Sequence, residues 1–248
     1  MRIFQGSLLV CAALLFGCDD GGSAGGTADA DMGATGGASA FYDGVESAAL
    51  GLADNEVRCS TCHSINGDQV GFSGNTFKNI AFHTSFKGGE APNLLAGANA
   101  CITGWMGGTA LTEADDKWLS LEAFIESVSD PSVTTPSPIE PEVLADEAAY
   151  EAAYGGGDAV AGEAMFEQAC GRCHTAELKV NNRVAFSLEV LGAYPIGRIA
   201  QKVRTSGPPP SGTEDAADST PGPMPFFELK DLPVDDLKNV IAFIKSQA

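Results

Sequence analysis

One five-residue pattern occurs twice in this chain. Cys59-Ser60-Thr61-Cys62-His63 and Cys170-Gly171-Arg172-Cys173-His174 both read C-x-x-C-H, and no other feature narrows the possible folds as far. Two thiols about one helical turn apart can each form a thioether with one of a porphyrin's two vinyl groups. The histidine after the second thiol then lies beneath the iron as its proximal ligand. A lone C-x-x-C also serves zinc and thioredoxin-like redox sites. Two copies, each followed by His and both behind an export signal, point to c-type haem. The expectation is two covalently bound haem c groups, attached through Cys59, Cys62, His63, Cys170, Cys173 and His174.

The export signal lies at the start. Arg2 precedes the apolar run LLVCAALLF from residue 8 to 16, which is of signal-peptide length and too short to span a bilayer as a helix. It leads into Leu15-Phe16-Gly17-Cys18, which resembles a bacterial lipoprotein box. The resemblance implies a signal peptide over 1–17 and lipidation of Cys18, the new N-terminus; the alternative is an ordinary signal peptide. Residues 18–40 are rich in Gly, Ala and Asp with little to bury, and read as a flexible tether. The expected location is the periplasm, with the lipid in the inner or outer membrane.

Of seven cysteines, Cys11 leaves with the signal, Cys18 takes lipid and four take haem. Only Cys101 is left, so no intramolecular disulfide framework is available. Lys and Arg total 14 against 33 Asp and Glu, for a formal charge of −19. That balance argues against nucleic acid and against an anionic lipid surface as partner. It is compatible with a basic redox partner, but the commoner reason for such acidity is the solubility of an exported protein.

At 248 residues the chain has room for two small domains. Four prolines within residues 130–141 mark an extended, semi-rigid boundary. On either side the layout repeats: a C-x-x-C-H, a middle segment, a methionine, a closing helix. The His-to-Met intervals are 43 residues (63 to 106) and 50 residues (174 to 224), as a duplicated unit would give. The expected organisation is a first haem domain over 41–129, a Pro-rich linker with a short helix over 130–154, and a second haem domain over 155–248.

Helical periodicity is clearest in the closing helices. Trp118, Leu121, Ile125 and Val128 recur on one face of a helix predicted over 113–128, with Thr112 as N-cap. Leu237, Val240, Ile241 and Ile244 do so over 233–245, where Pro233 suits the first turn. Helices are also predicted into each motif, over 43–62 (interrupted by Gly51) and 162–173. A short helix within 142–154 should pack between the domains, and another should span 195–205. No period-two strand is evident, so the fold class is all-α.

Helix, C-x-x-C-H, loops, methionine and closing helix is the order of class I cytochromes c, and both halves resemble that family. Gly222-Pro-Met-Pro-Phe-Phe227 looks like its methionine-ligand loop. The resemblance implies two tandem, mostly helical domains, each wrapped around a haem that supplies much of the apolar core, with terminal helices crossing near the haem edge. Ala91-Pro92-Asn93-Leu94 resembles the family loop whose proline carbonyl accepts a hydrogen bond from the proximal histidine. Trp105, Phe226 and Phe227, beside the methionines, should line the haem pockets. Arg172 could meet a propionate or solvent. Arg198, Lys202 and Arg204 could neutralise propionates or form the polar face of their helix.

The sixth iron ligand separates carrier from enzyme. Met32 lies in the tether, and Met165 lies five residues before Cys170, on the proximal side. Met224 is left for the second haem. For the first, Met106 stands in the family position, with His83 and Cys101 as alternatives. Methionine opposite histidine favours ferrous iron and leaves no open position for peroxide or dioxygen. Four roles remain in play: a respiratory single-electron carrier between redox proteins, a thiosulfate dehydrogenase-like sulfur-compound oxidoreductase, a dihaem peroxidase, and a docking subunit of a larger complex.

Overall fold

One close helix crossing fixes the second half of the chain. In a computed structural model describing residues 38–175, 178–180, 183–206 and 224–248, helix α7 (Ala159–Phe166) lies across the last helix (Val234–Ser246). A Cβ at Gly162 would stand 1.9 Å from the carbonyl oxygen of Asn239, so only glycine allows the backbones to come this near. The Phe166 and Phe243 rings, 5.2 Å apart, seal the crossing. The signal segment, Cys18, the tether to residue 37, and Gly222 and Pro223 of the methionine-loop motif lie outside the described residues.

In chain order the helices are α1 (Ala38–Tyr42), α2 (Val45–Ala48), α3 (Cys59–Cys62), α4 (Leu94–Gly104), α5 (Asp116–Val128), α6 (Glu147–Tyr154), α7, α8 (Arg172–His174), α9 (Leu188–Ala193), α10 (Ile196–Thr205) and α11 (Val234–Ser246). Among the described residues, the strands are a two-residue antiparallel pair, β1 (Lys179–Val180) with β2 (Arg183–Val184). The architecture is helical, consistent with the all-α expectation. No described helix is long and apolar enough to cross a membrane.

The core of the first half gathers Leu50, Val57, Phe77, Ile102 and Met106 with Trp118, Leu121, Phe124 and Ile125 of α5. Burial of each large side chain contributes roughly 1.5–3 kcal/mol, so α5 is held by its apolar face. The second core joins Tyr150 and Tyr154 of α6, Phe166, Cys170, Ile199, Val203, Phe227, Leu232 and the inner face of α11. Met165 packs against it, in keeping with its assignment to the core.

Several boundaries differ from those predicted. The segment 43–62 is not one helix: after α2 the chain turns at Leu50–Gly51 and reaches α3 without regular structure. Leu52 donates its backbone N–H to the Met106 carbonyl (3.0 Å). A Cβ on Gly51 would lie 2.7 Å from that same oxygen, so the glycine makes room for the methionine segment. Helix α5 starts at Asp116, and Thr112 is not its cap; the Thr112 backbone N–H and hydroxyl both donate to the Asp115 carboxylate. Helix α6 packs on α10 and α11 of the second half, not between halves. Helices α4 and α9 fill stretches read as loop.

The proline-rich stretch 130–141 is strapped along the first half. Ser137 donates its N–H to the Ser85 carbonyl (2.8 Å) and accepts from Gly88 N–H (3.3 Å). Its hydroxyl accepts from Asn75 (2.7 Å), and Pro138 and Ile139 help to wall a cavity.

Candidate haem sites

The first motif is fixed from its backbone outward. The Cys59 N–H donates to the fully buried Ser47 hydroxyl (2.9 Å). Arg58 N–H donates to the Thr61 hydroxyl (3.0 Å) while Thr61 N–H returns to the Arg58 carbonyl, closing the turn that carries both thiols. His63 then leaves the helix in an extended conformation. Its Nδ1 lies 2.6 Å from the Asn75 carbonyl oxygen, and its ring packs on Phe77 with centroids 4.7 Å apart. Tyr42 donates its hydroxyl proton to the His63 carbonyl (2.8 Å). With Nδ1–H given to a carbonyl, Nε2 is the nitrogen left to bind iron.

Cys59, Cys62, His63, Cys101, Trp105 and Met106 all line one cavity. Most of the remaining wall is apolar, including Leu50, Val57, Phe77, Ile80, Phe86, Leu121 and Ile125. Met106 is held by its backbone: its N–H donates to the Cys101 carbonyl (3.2 Å) and its carbonyl accepts from Leu52. Gly107 then takes a left-handed turn (φ 67°), and a Cβ on Gly108 would meet the Leu50 carbonyl at 1.9 Å. The two glycines after the methionine are therefore steric requirements.

Burial raises the Cys59 thiol to about 11 and the Cys62 thiol to about 12, and also raises Cys101. Burial lowers His63 despite its bond to Asn75, with Lys87 adding to the effect, so the imidazole stays neutral. Burial that penalises charge on all of these groups marks the cavity as a low-dielectric site, suited to an occupant with a large apolar face. The indole Nε1 of Trp105 is buried without a partner, a donor that a polar group of the occupant would satisfy. The residues fit a haem.

Other expectations for this half change. The carbonyl that meets His63 is that of Asn75, not that of Pro92. His83 is absent from the cavity wall; its Nδ1 lies 2.6 Å from the Thr135 carbonyl on the proline-rich strap. Cys101 does line the cavity beside Met106. Sequence reading missed Lys87, whose left-handed backbone (φ 51°) sets its ammonium 4.3 Å from the Trp105 ring centroid at the cavity wall.

In the second half, α7 runs through a π-helical turn (Glu167–Gly171) into α8, carrying Cys170 into the core and leaving Cys173 half-buried. Turns of this kind are frequent at functional sites. The His174 Nδ1 lies 2.8 Å from the Phe186 carbonyl, twelve residues on, as Asn75 is from His63. Met224 packs against the core that contains Cys170. The Ser206 hydroxyl donates to the Met224 carbonyl, Phe227 N–H to the Val203 carbonyl (2.8 Å), and Arg204 Nη1 to the carbonyls of Phe227 and Glu228 (3.1 and 3.2 Å). The methionine segment is thus tied to α10. Burial raises Cys170 to about 12 and Cys173 to about 11, with Arg172 drawing the latter back, and lowers His174. This donor set also suits a haem.

The cationic trio of α10 separates. Arg204 is fully buried, with Nε donating to the Tyr154 hydroxyl (2.8 Å) and 3.5 Å from Glu142. Lys202 donates to the Ser206 carbonyl, and Arg198 lies over Tyr194. Phe226 lines the first cavity, with Pro225, Glu228 and Asp231, while Phe227 enters the second core. Among the described residues no cluster of three or more His, Cys, Asp or Glu is placed to hold a bare metal ion, so the C-x-x-C pairs lack the further ligands of a zinc site.

Residues 157–244 match the family model described as Cytochrome C oxidase, cbb3-type, subunit III. The matched stretch runs from α7 to α11 and includes Cys170, Cys173, His174 and Met224. It covers less than half of the chain. No curated protein matches the chain. The similarity, with the donor set just described, supports a c-type cytochrome: a domain over 157–244 that binds haem c covalently and transfers electrons.

Proposed function

We propose that the chain is an exported dihaem cytochrome c, built of two tandem cytochrome c-like units, that carries single electrons between redox proteins of a respiratory chain. Cys59, Cys62 and His63 hold the first haem with Met106 as sixth ligand. Cys170, Cys173 and His174 hold the second with Met224. A lipid on Cys18 anchors the protein to a membrane facing the periplasm, and the 18–40 tether gives it reach. The partners are other redox proteins, and the net charge of −19 argues against nucleic acid.

The observation that carries this reading is the repeated pin on histidine. Two sequence-distant histidines, each ending a C-x-x-C-H, offer Nδ1 to a backbone carbonyl twelve residues on. One tautomer is thereby selected twice, with Nε2 free.

Bound haem supplies a one-electron ferric/ferrous couple. The chain's residues do the rest. His63 and His174 are held neutral and oriented, and the methionine segments are fixed through their own backbones. The apolar cavity wall excludes water, which favours the less charged ferrous state. A spectral redox titration with near-infrared magnetic circular dichroism tests the reading. Two His/Met haems are expected, and a bis-histidine signal at either haem would overturn the ligand assignment.

A second reading, a thiosulfate dehydrogenase-like oxidoreductase, has one observation behind it: the Cys101 thiol shares the first cavity with Met106. Thiosulfate-dependent haem reduction with turnover would favour it over plain carriage. Peroxide turnover would instead indicate a peroxidase.

A further inference from the structure

Arg172 belongs to the second C-x-x-C-H motif, yet its side chain lies against the first half. Its guanidinium carbon sits 3.8 Å from the centroid of the Phe72 ring, and its charge reaches Tyr42, whose hydroxyl holds the His63 carbonyl. The neighbours of Phe72 are gripped as well. The Val70 carbonyl accepts from Gln168 Nε2 (2.7 Å), and Gly71 N–H donates to the Asp231 carbonyl (2.8 Å). Three successive residues that follow the first motif are thus each engaged by the second half. Cys173, next to Arg172, packs against the first core. The simpler view is that Arg172 only fills the junction. Two facts go beyond packing: one of its Nη nitrogens is buried without a partner, and the charge stands between two attachment segments in a chain of net −19.

We propose that Arg172 is a positioning residue shared by both haem sites: it locks the second attachment segment onto Val70-Gly71-Phe72, and its fixed positive charge raises the reduction potential at both. A guanidinium keeps its charge throughout the working pH range, and stacking on an aromatic face suits it better than an ammonium. Held where solvent is partly excluded, a cation acts over longer range than it does in water, and it favours the reduced state of any iron nearby. The inference rests on the dihaem reading.

The test is a redox titration of the full-length holoprotein carrying Arg172→Gln, Arg172→Lys or Phe72→Leu. With Arg172→Gln both waves should shift to lower potential, and Arg172→Lys, which keeps the charge, should recover most of the shift. Phe72→Leu removes the aromatic platform and should move both waves down by less. It supplies the answer if Arg172→Gln loads no haem. A shift confined to one wave, an Arg172→Lys potential as low as that of Arg172→Gln, or unchanged waves in Phe72→Leu would overturn the proposal. If the wild-type protein carries one haem per chain, the dihaem reading fails before any variant is compared.

Discussion

The imidazole Nδ1 of His63 lies 2.6 Å from the backbone carbonyl oxygen of Asn75. A backbone acceptor does not depend on the side chain at position 75, so Asn75→Ala should retain the first haem. What the site cannot tolerate is a shift of that backbone.

Gly74 marks the limit. A Cβ there would lie 2.5 Å from His63 Cε1 and 2.6 Å from Nδ1. Gly74→Ala should therefore rotate the ring or push the 74–75 backbone away, at a cost of about 1–3 kcal/mol for overpacking. Thermal unfolding should fall accordingly, and covalent haem per chain should drop at the first site. The corresponding position of the second half, eleven residues after His174, is Ala185, so the demand for glycine belongs to the first site. Unchanged stability and haem content in Gly74→Ala would contradict the His63 geometry.

The proposed sixth ligands are separable by substitution. Met106→Ala and Met224→Ala should each remove one methionine-to-iron charge-transfer signal and lower the potential of one haem, leaving the other. His83→Ala should remove neither, since His83 faces the Thr135 carbonyl rather than the cavity. Cys101→Ser should preserve the spectrum if Met106 is the ligand. Loss of a signal in Cys101→Ser with Met106 intact would transfer the role.

The α7–α11 contact predicts a stability effect. Gly162→Ala would drive a Cβ into the Asn239 carbonyl at 1.9 Å, and separation of the helices should cost at least the 1–3 kcal/mol typical of overpacked sites (order of magnitude). Val160→Ala on the same helix is the control, because Val160 is 84% exposed. Equal unfolding midpoints for the two variants would refute the close crossing.

Asp231 gives a pH dependence. Burial raises its carboxyl above the ordinary value, against the pull of Lys230. A folded-state value above the unfolded one means that the folded protein holds the proton more tightly. The resulting stabilisation is present in acid and is lost as pH rises through the folded value. Asp231→Asn should flatten stability across the acidic range, as chemical denaturation at a series of pH values would read. An unaltered pH profile would argue that the carboxyl is not buried as described.

Lipidation is tested on the cell. Cys18→Ser should move the protein from the membrane to the soluble fraction, and continued membrane association would refute the anchor.

The sequence made the two motifs, the closing helices and α10 legible, because each depends on local spacing: i, i+3, i+4 for α5 and α11, and one helical turn between paired thiols. Helix α4 was hidden because Leu94–Gly104 contains two glycines and its apolar residues do not form a clean stripe; Asn93 caps it, accepting from Ala96 N–H (2.8 Å). The predicted helix over 43–62 failed for a tertiary reason, since Gly51 makes room for the Met106 carbonyl. The carbonyls of Asn75 and Phe186 were invisible, as any residue can present one. Their equal separation from the two histidines emerges only in the structure. The placement of Pro225, Phe226, Glu228 and Asp231 on the wall of the first cavity is a long-range contact that no local pattern encodes.

The central claim is that both C-x-x-C-H segments carry haem. Mass spectrometry of the purified full chain, with Cys59→Ser/Cys62→Ser and Cys170→Ser/Cys173→Ser alongside, tests it most directly. Two covalent haems per wild-type chain and one in each double variant are the predicted result. A single haem in the wild type, lost entirely in one double variant and untouched in the other, would contradict it.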